Sequence, residues 1–572
     1  MSNEMINGAR MLLECLHRVG VNDMFGYPGG AVIPIYDEIY NFGKIKHYFA
    51  RHEQGSVHAA DGYARVSGKV GVCLATSGPG ATNLVTGIMT AHMDSVPLLA
   101  ITGQVRSNLL GRDAFQETDI VGITVPITKG NYLVQNIKDI PRIIKEAYFI
   151  ASTGRPGPVL VDIPNDIQQQ EISYDEFNKL FDKEVQLEGY EPTYVGHPVQ
   201  IKRALSLIKK SKKPLIIAGA GVMKSGASKE LLELANKMDI PVTTTLLGLG
   251  AFPENHELSL GMLGMHGTVP ANYATDEADL VIAAGIRFDD RIAGNPSKFC
   301  ERAKIIHIDI DPAEIDKNKK ADVPIVGDLK NVLSEINKEL EPQDHKEWTD
   351  KVKEWKKEYP LAHRDVGKDK LLPQEVLKAI NDILDGDTIV VTDVGQHQMW
   401  AAQYMTYKNA NSIVTSGGAG TMGFGVPAAI GAQVGARDKK VVLIVGDGGF
   451  QMTLEEIMMI RQYNLPVKIV IINNSFLGMV RQWQELFKDR RYSFVDLECN
   501  PDFVKIGDAY GIKAERLQTK ADLENKLKDL ILSDEGVILD CIVEKEENVF
   551  PMIPAGKTVS QMIGKKGVLE ND

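Results

Sequence analysis

The stretch Val441–Met452, VVLIVGDGGFQM, places an aspartate behind five consecutive apolar residues and one glycine. An apolar run of this length predicts a strand of a parallel sheet that is buried on both faces. The glycines beside Asp447 permit a tight turn, and the start of a following helix favours a bound anion. Open α/β sheets bind ligands at the carboxyl ends of their strands, so Asp447 is a candidate ligand-binding residue. The alternative is that GDGG forms only a tight turn.

Short apolar runs of the same kind recur along the chain, and many end in glycine-rich turns that lead into helical patterns. This order is typical of parallel strands joined by crossover helices. The predicted class is α/β, with three doubly wound parallel sheets. The runs are VGVCLATSGPG, PLLAITGQ, PGPVLVDIP, PLIIAGAG, PVTTTLLG, DLVIAAGIRF, AKIIHIDID, DTIVVTDVG, KVVLIVGDGG and VKIVIINN.

Two polar segments divide this pattern into three domains. One is rich in glutamine and acidic residues, and the other is highly charged, so both are predicted to be surface helices or linkers. The tail GKKGVLEND is predicted to be mobile. The predicted boundaries are an N-terminal domain at 1–168, a linker at 169–194, a central domain at 195–336, a charged linker at 337–370, a C-terminal domain at 371–550 and a tail at 551–572.

The composition excludes several classes of function. A net charge of -12 offers no basic patch for nucleic acid or an anionic membrane, so the expected partners are small molecules or proteins. The five cysteines are scattered without a CxxC pair, which suits a reducing compartment and argues against structural zinc. The sequence has no signal-peptide pattern and no apolar run long enough for a membrane span. A cytoplasmic location is expected.

A second polar residue at a strand end makes a metal site the favoured interpretation of Asp447. Asn474 follows the next apolar run, 27 positions later, which is about one strand–helix–strand unit. Adjacent parallel strands would place the two side chains next to each other. Mg²⁺ takes about six oxygen ligands, shared between protein and phosphate. A P-loop is disfavoured because no GxxxxGK[ST] motif occurs.

The GDG and NN motifs at this spacing resemble the signature of thiamine diphosphate (ThDP) enzymes. Further motifs along essentially the whole chain resemble the catalytic subunit of acetohydroxyacid (acetolactate) synthases, and RFDDR with MVRQWQ resembles the biosynthetic branch that contains FAD. These motifs are GYPGGAVIPIYD, RHEQGSVHAADGYAR, TSGPGATNLVTGI, GQVRSNLLGRDAFQETDIVGIT, GRPGPVLVDIP, LGMLGMHG, RFDDR, TSGGAGTMGFGVPAAIGA and GMVRQWQELF.

The resemblance implies a fold in which two ThDP-type domains flank a Rossmann-like FAD domain. It also implies the reaction: decarboxylation of pyruvate and transfer of the two-carbon unit to a second 2-ketoacid. Pyruvate as acceptor gives 2-acetolactate, and 2-oxobutanoate gives 2-aceto-2-hydroxybutanoate. This is the first common step of branched-chain amino-acid biosynthesis. The family implies a homodimer or homotetramer with active sites at the dimer interface, and a separate regulatory small subunit.

In the N-terminal domain, Glu53 matches the glutamate that hydrogen-bonds N1′ of the cofactor's pyrimidine ring. From its own segment alone, a surface glutamate is the alternative. The other matched positions either contact ThDP or line the substrate cavity. They are Tyr27, Gly30, Pro79, Asn83, Phe115 and Gln116.

In the C-terminal domain, the resemblance implies that Asp447, Asn474 and the main-chain oxygen of Phe476 bind Mg²⁺. Met422 matches the apolar residue that holds ThDP in a bent form. His397 could be a general base, but contact with phosphate is the favoured interpretation because the cofactor carries its own base. The remaining positions matched to ThDP contacts are Gly395, Gln396, Gly448, Gly449, Gly478 and Met479, and Met479 is also matched to the catalytic site.

In the central domain, IIAGAGVMKSGA alone is a weak dinucleotide signal, and the resemblance assigns it to FAD. Because the net reaction involves no redox change, the flavin is expected to be structural. Arg291 is also matched to binding of the second 2-ketoacid, with a surface ion pair within RFDDR as the alternative. The implied FAD contacts are Arg155, Gly219, Ala220, Gly221, Leu263, Gly264, Met265, His266, Gly285, Arg287, Asp289, Arg291, Asp309, Ile310 and Asp328.

Two positions bear on specificity. Trp483 matches the indole that favours the longer acceptor. Asn165 departs from the family, which usually has lysine after the proline of the DIP segment, so inhibitor sensitivity cannot be transferred to this chain. The competing interpretations are pyruvate oxidase, a 2-ketoacid decarboxylase, a catabolic acetolactate synthase without FAD, and a non-catalytic regulator that binds the cofactor.

Overall fold

The structure, a computed structural model, describes residues 4–568. Within that range the strands form three six-stranded sheets and one two-stranded pair. All neighbouring strands of the six-stranded sheets are parallel. The predicted α/β class with three parallel sheets is confirmed. In the same range no helix is long and apolar enough to cross a membrane.

The N-terminal domain contains the first six-stranded sheet. The sheet consists of β2 (Asp23–Gly26), β3 (Lys46–Phe49), β4 (Gly71–Ala75), β5 (Leu98–Gln104), β6 (Gly130–Leu133) and β7 (Pro158–Pro164), and β1 (Met5–Asn7) lies outside it. Its helices are α1 (Gly8–Arg18), α2 (Ile33–Phe42), α3 (Glu53–Ser67), α4 (Pro79–Thr82), α5 (Val85–Met93), α6 (Ile120–Thr124), α7 (Ile140–Ser152) and α8 (Asn165–Gln169). The sheet order is β3-β2-β4-β5-β7-β6, and β4, β5 and β7 are buried along their whole length. This burial agrees with their continuous apolar runs.

The segment 169–194, predicted as a linker, begins with ordered structure. Strand β8 (Glu171–Ser173) pairs antiparallel with β1, and helix α9 (Tyr174–Phe181) follows it. Phe177 is fully buried in the core of the N-terminal domain. The apolar residues that hold this segment are too few and too widely spaced among polar ones to give a strand pattern in the sequence.

The central domain contains the second six-stranded sheet, in the order β11-β10-β9-β12-β13-β14. Its strands are β9 (Pro214–Ala218), β10 (Val242–Thr244), β11 (Ser259–Met262), β12 (Leu280–Ala284), β13 (Lys304–Asp309) and β14 (Val323–Val326). Its helices are α10 (Pro198–Lys210), α11 (Ala220–Lys224), α12 (Ser228–Lys237), α13 (Val269–Glu277), α14 (Asp290–Ala293) and α15 (Leu329–Glu339).

The charged segment 337–370 contains helix α16 (Lys346–Glu358), which packs on the central domain. Trp348 and Trp355 are buried, and the Trp348 indole N–H donates to the carbonyl of Pro214 at 2.9 Å. The charged residues of this helix occupy its exposed side. Part of the predicted linker is therefore an amphipathic helix of the central domain.

The C-terminal domain contains the third six-stranded sheet, in the order β16-β15-β17-β18-β20-β19. Its strands are β15 (Ile389–Thr392), β16 (Ile413–Val414), β17 (Val441–Gly446), β18 (Lys468–Asn473), β19 (Lys513–Leu517) and β20 (Val537–Ile542). Its helices are α17 (Pro373–Ile383), α18 (Gln396–Tyr404), α19 (Gly425–Gly435), α20 (Asp447–Gln451), α21 (Ile457–Tyr463), α22 (Gly478–Phe487), α23 (Phe503–Tyr510), α24 (Lys520–Asp522) and α25 (Lys528–Leu532), with a π-helical turn at Leu523–Leu527.

Short 3₁₀ turns connect elements in all three domains. They are Gly30–Val32, Ser107–Leu109, Val125–Ile127, Ile137–Asp139, Leu246–Gly248, Pro312–Glu314, Leu454–Glu456 and Val559–Gln561.

The C-terminal segment returns to the central domain. Met552 and Ile563 pair as an isolated antiparallel bridge, and Met562 is buried beside Val269. Of the tail predicted to be mobile, Gly564–Val568 is described, and Gly567 lies against the backbone of Ala362. Residues 569–572 lie outside the described residues.

The N-terminal and C-terminal domains meet along α3 and α19. A side chain at Gly62 of α3 would overlap the carbonyl oxygen of Ala428, and one at Gly431 of α19 would overlap that of Ala59. The two helix backbones are therefore in direct contact. Small residues permit this approach, which fixes two sheets relative to each other.

Gly62→Ala tests this packing. In a solvent-exposed helix the change would stabilise the folded state by about 1 kcal/mol, because alanine has a higher helix propensity than glycine. Here the added methyl group meets the Ala428 carbonyl, and overpacking of this kind costs about 1–3 kcal/mol. We expect a net destabilisation, measured as a lower temperature of thermal unfolding. Gly386→Ala is the control, since the nearest atom to its methyl group would be the Asn409 side-chain nitrogen at 3.3 Å. A Gly62→Ala protein as stable as the wild type would contradict the packing argument.

Candidate active site

Three neighbouring strands of the C-terminal domain end at one edge with polar residues. Asp393 follows β15, Asp447 follows β17 and Asn474 follows β18. Strand β17 pairs in parallel with both of the others. The predicted placement of Asp447 and Asn474 at adjacent strand ends is confirmed.

Asp447 is buried, and the Asn500 side-chain amide donates to its Oδ2 at 2.6 Å. Burial raises the pKa of Asp447 to about 6, and the hydrogen bond from Asn500 opposes this rise. The Asn500 side-chain oxygen in turn accepts from Gln451 at 2.9 Å. Asn500 was not found from the sequence, because it lies in an irregular segment after the last quoted motif.

Asn474 is oriented by two contacts. Its amide nitrogen donates to the side-chain oxygen of Gln396 at 3.3 Å, and its Oδ1 accepts from the Phe476 N–H at 3.1 Å. In residues 4–568 no group of three or more His, Cys, Asp or Glu residues could hold a metal ion. A cation at this edge would therefore use one carboxylate, one amide oxygen and main-chain oxygens. Such oxygen donors suit Mg²⁺ when phosphate and water complete the six positions.

His397 lies in the first turn of α18 and is buried. A side chain at Gly395 or at Gly446 would contact its ring, so the imidazole fits against two glycine backbones. Burial lowers the pKa of His397 to about 3, so the ring is neutral near pH 7. Its Nε2 has no hydrogen-bond partner in the protein. In the tautomer that carries its proton on Nε2, the neutral ring at the N-terminus of this nine-residue helix can donate a hydrogen bond to a phosphate oxygen.

Asp393 anchors the loop that carries Met422. Its carboxylate accepts hydrogen bonds from the N–H groups of Gly423 at 3.0 Å and Gly425 at 2.7 Å. Asp393 was not among the residues predicted from the sequence. The signal was present, however, since an aspartate directly after a buried strand is the same pattern as Asp447.

A cavity of about 890 Å³ lies where the three domains meet, and the N-terminal domain contributes Asp94, Ser95 and Arg155 to its wall. Four predicted residues of the C-terminal domain line its wall: Gly395, Met422, Met479 and Trp483. Val394, next to Gly395, lines it as well. Of the predicted FAD positions, the wall contains Arg155, Ala220, Gly221, Leu263, Met265, His266, Gly285, Arg287, Asp289, Arg291, Asp309, Ile310 and Asp328. Two further predicted positions, Gly219 and Gly264, are not part of this wall.

The glycines at the strand ends of the central sheet let two backbones meet below the cavity. A side chain at Gly219 would overlap the carbonyl of Gly285, and one at Gly221 would come within 2.6 Å of the Gly285 Cα. Lys224 also lines the cavity, and its Nζ donates to the carbonyl of Ser95 at 2.7 Å. Lys224 was not among the residues predicted from the sequence. Glycine backbone thus forms part of the cavity wall, and both basic and acidic side chains line other parts of it.

Arg291 is 64% exposed, and its nearest carboxylate is that of Asp290 at 4.0 Å. Asp290 is itself 78% exposed, so this ion pair contributes little. The Asp289 side chain is occupied in accepting hydrogen bonds from the backbone of residues 291 and 292. The alternative of a neutralised surface ion pair is therefore weak for Arg291, whose guanidinium can bind a carboxylate.

Apart from Arg155, the predicted residues of the N-terminal domain form a separate group near the carboxyl ends of β2, β3 and β4. Glu53 is the first residue of α3 and is buried, and the Asn83 amide donates to its Oε2 at 3.0 Å. Gly80 leaves space beside the Oε1 atom of Glu53, since a Cβ atom at position 80 would lie 3.1 Å from that oxygen. The Tyr27 ring packs against Phe49, with 5.4 Å between centroids.

The loop that contains Phe115 and Gln116 packs on this group. The backbone of Gln116 lies against Gly78, whose positive φ of 60° favours glycine, and Phe115 is 88% exposed. Among residues 4–568, the cavity wall includes none of the predicted positions of this group. These positions are Tyr27, Gly30, Glu53, Pro79, Asn83, Phe115 and Gln116. Asn165, the departure from the family, lies near this group, with its amide 3.4 Å from the carbonyl of Ala31.

Glu456, from the C-terminal domain, holds the segment that carries Glu53. Its carboxylate accepts hydrogen bonds from the N–H groups of Arg51 at 3.0 Å and His52 at 2.8 Å. A side chain at Gly55 would overlap this carboxylate. Burial raises the pKa of Glu456 to about 7, and the two N–H groups oppose this rise. Sequence reasoning missed Glu456 because its partners are about 400 residues away in the chain.

Comparison with known families gives three matches. The N-terminal TPP binding domain of thiamine pyrophosphate enzymes matches residues 6–123, the central domain matches 201–336, and the C-terminal TPP binding domain matches 393–541. Thiamine pyrophosphate is another name for ThDP. The fold and the matched domains together define the class, a thiamine pyrophosphate enzyme.

Curated relatives narrow this class. The acetolactate synthase large subunit of Lactococcus lactis subsp. lactis (strain IL1403) is 49% identical over 569 residues, which cover 99% of this chain and 97% of the relative. The probable acetolactate synthase large subunit of Methanocaldococcus jannaschii is 48% identical over 567 residues, covering 98% and 95%. The acetolactate synthase large subunit of Corynebacterium glutamicum is 48% identical over 570 residues, which cover 98% of this chain and 90% of the relative. The chain therefore belongs to the acetolactate synthase large-subunit family, and the resemblance inferred from the motifs is confirmed.

Glu456→Gln tests the contact between domains. Folding raises the pKa of Glu456 from 4.5 to about 7, so this group favours the folded state fully below about pH 4.5. That contribution is lost as the pH rises through 7, and it amounts to roughly 3 kcal/mol. The wild type should therefore lose stability relative to the variant between about pH 5 and about pH 8, as followed by urea unfolding.

Glu455→Gln is the matched control, since Glu455 is the partly exposed neighbour. Because the charge of Glu455 contributes to the raised pKa of Glu456, this variant should differ from the wild type with pH in the same sense as Glu456→Gln, but by less. A pH-independent difference for Glu456→Gln would contradict the argument.

Proposed function

We propose that the C-terminal domain binds the diphosphate of ThDP through Mg²⁺. The ligands would be the Asp447 carboxylate, the Asn474 amide oxygen and the main-chain oxygen of Phe476. The observation that supports this most strongly is the placement of the first two at adjacent strand ends, with Asn500 and Gln396 orienting them. The unpartnered Nε2 of His397 and the backbone of Gly395, Gln396, Gly448 and Gly449 would contact the phosphates, and Gly478 with Met479 would border the cofactor at the start of α22.

When bound, ThDP supplies a carbon nucleophile and accepts the electron pair released as CO₂ leaves a 2-ketoacid. The protein's part is to orient the reactants and to control protons. Glu53 would exchange a proton with N1′ of the pyrimidine ring through its Oε1, because Oε2 already accepts from Asn83. Met422 would pack under the cofactor and keep it bent, and Tyr27, Gly30 and Pro79 would border its pyrimidine end.

The catalytic site would be completed by a second copy of the chain. The Mg²⁺ candidates and Glu53 lie at the strand ends of different domains, and the cavity wall includes no residue of the Glu53 group. A homodimer, or a tetramer of two such dimers, would bring Glu53 of one chain to the cofactor of the other. Because the curated relatives are named as large subunits, a separate regulatory subunit is proposed as well.

The cavity next to the central domain would hold FAD. Its volume of about 890 Å³, its glycine backbone wall and its basic groups fit an extended dinucleotide. Arg155, Lys224 and Arg287 are the candidates for the diphosphate. The flavin would stabilise this side of the pocket, since condensation of two 2-ketoacids with loss of CO₂ needs no redox step.

The substrates would be pyruvate and a second 2-ketoacid, and the products would be 2-acetolactate or 2-aceto-2-hydroxybutanoate. Arg291 would bind the acceptor's carboxylate, and Trp483, with Met479, would contact its alkyl group. Phe115 and Gln116 would line the same pocket from the partner chain. In the cell this reaction would begin branched-chain amino-acid synthesis.

Omission of each cofactor tests the proposal. Activity measured as acetolactate should be lost without ThDP or Mg²⁺, and the purified protein should show flavin absorbance. Glu53→Gln should lose most of the activity while its thermal unfolding stays near that of the wild type, because the amide keeps the shape but cannot exchange the proton.

Asn83→Ala is the companion variant and should lose less activity, since it only frees Glu53 Oε2. Near-normal activity of Glu53→Gln would refute the assigned role. Colourless, fully active protein would instead favour the FAD-free catabolic synthase, and peroxide or acetaldehyde as the main product would favour the oxidase or decarboxylase.

Trp483→Leu tests acceptor choice. One methylene in an apolar pocket contributes about 1–3 kcal/mol to discrimination, so loss of the indole should reduce the preference for 2-oxobutanoate by about tenfold or more. Acetolactate formation should persist. The measurement is the ratio of the two products when both ketoacids compete. Phe494→Leu is a suitable control, because Phe494 is an aromatic residue of the same domain that is 99% exposed and does not line the cavity. An unchanged ratio in Trp483→Leu would refute the assignment.

A further inference from the structure

Gln482 is fully buried on helix α22, next to Trp483. Its Oε1 accepts hydrogen bonds from the Val549 N–H at 2.8 Å and from the Gln396 side chain at 2.8 Å. Its Nε2 donates to the Val549 carbonyl at 3.2 Å. Trp483 faces the cavity, whereas Gln482 does not. The helix is thus attached to the segment 547–553, here called the strap, by a paired amide contact.

A second buried side chain strengthens the same attachment. Arg481 is fully buried, and its Nη2 donates to the Glu547 carbonyl and to the Asn548 Oδ1, both at 2.7 Å. The Gln396 side chain also donates to the Glu547 carbonyl, at 3.0 Å. The first half of the strap is therefore bound both to α22 and to the start of α18, beside the Mg²⁺ candidates.

The far end of the strap binds the central domain. The Ile553 N–H donates to the Met265 carbonyl at 2.7 Å, and the Met265 N–H donates to the Arg291 carbonyl at 2.9 Å. Val549 and Met552 are fully buried between these two ends. The strap thus connects α22, which carries Trp483, with the backbone of Arg291 through a short series of hydrogen bonds. The two residues proposed to choose the acceptor lie on different domains, and this segment joins them.

We propose that Gln482 is a positioning residue that fixes, through the strap, the spacing between Trp483 and Arg291 and thereby the choice of the second 2-ketoacid. This inference rests on the proposed roles of those two residues. Its physical basis is that discrimination by one methylene is small in energy and therefore sensitive to small displacements of a pocket wall. Gln482 touches no substrate position, so it acts only through the elements it joins.

Gln482→Met is the test variant, because it keeps the length of the side chain and removes its polar atoms. It leaves the Val549 N–H without a partner, which destabilises the junction. We expect the preference for 2-oxobutanoate over pyruvate as acceptor to fall at least threefold, with a much smaller change in the KM for pyruvate. Gln433→Met is the matched control. Gln433 is a buried glutamine whose amide donates to the backbone of residues 436 and 439, away from the strap. It should lower thermal stability without changing the product ratio.

A second measurement needs neither substrate nor cofactor. Trp348, Trp355 and Trp400 are buried, and Trp483 is the partly exposed tryptophan. Acrylamide quenching of the cofactor-free protein therefore reports mainly on Trp483. Quenching should increase in Gln482→Met and stay at the wild-type level in Gln433→Met.

Asn548→Ala provides a milder break of the strap for the case in which Gln482→Met does not fold. Asn548 is only partly buried and loses the contact to Arg481. We expect its product ratio to shift in the same direction by about twofold. An unchanged ratio of the two products in Asn548→Ala, or in a folded Gln482→Met, would overturn the inference. The proposed function would still stand in that case if the wild type forms both products. Absence of both products with the wild type would overturn the proposed function, and the inference with it.

Discussion

The direct backbone contact between α3 and α19 is the constraint on which the rest of the structure depends. Helix α3 is part of the N-terminal domain and α19 is part of the C-terminal domain, and glycines at positions 62 and 431 let the two backbones touch. Because the contact leaves no room for side chains, it also leaves little freedom for sliding. Glu53 begins one of these helices, and the other follows the loop that carries Met422. The position of both candidate catalytic elements is therefore set by a contact that contains no catalytic residue.

The central domain depends on the other two in a different way. Its cavity wall is closed by residues of the C-terminal domain, and its basic groups reach the N-terminal domain, as Lys224 does at the carbonyl of Ser95. Helix α16, Ile553 and Met562 also pack on apolar residues of this domain. A domain of this kind adds a pocket between two fixed sheets without changing how they meet.

The sequence predicted the features that follow from strand patterns and motifs. Continuous apolar runs predicted the three parallel sheets, and the spacing of Asp447 and Asn474 predicted adjacent strand ends. It did not predict Asn500, Glu456 or Gln482, because each acts through a hydrogen bond to a distant part of the chain and belongs to no local pattern. It also missed the buried anchors of two polar segments, since Phe177, Trp348 and Trp355 are single apolar residues in charged surroundings. Asp393 was predictable, because it repeats the strand-end pattern of Asp447.

The stretch from Asp447 to Glu456 has a consequence for how this chain can vary. Its first residue is a candidate metal ligand, and its last residue holds the backbone of Arg51 and His52 beside Glu53. A single inserted or deleted residue between them would move at least one of these ends by about 1.5 Å along a helix, or more in extended chain. The middle of the stretch is also constrained, because Phe450 is fully buried and Gln451 holds Asn500 against Asp447. The stretch is therefore intolerant of a change in length, and it works as a spacer between two half-sites.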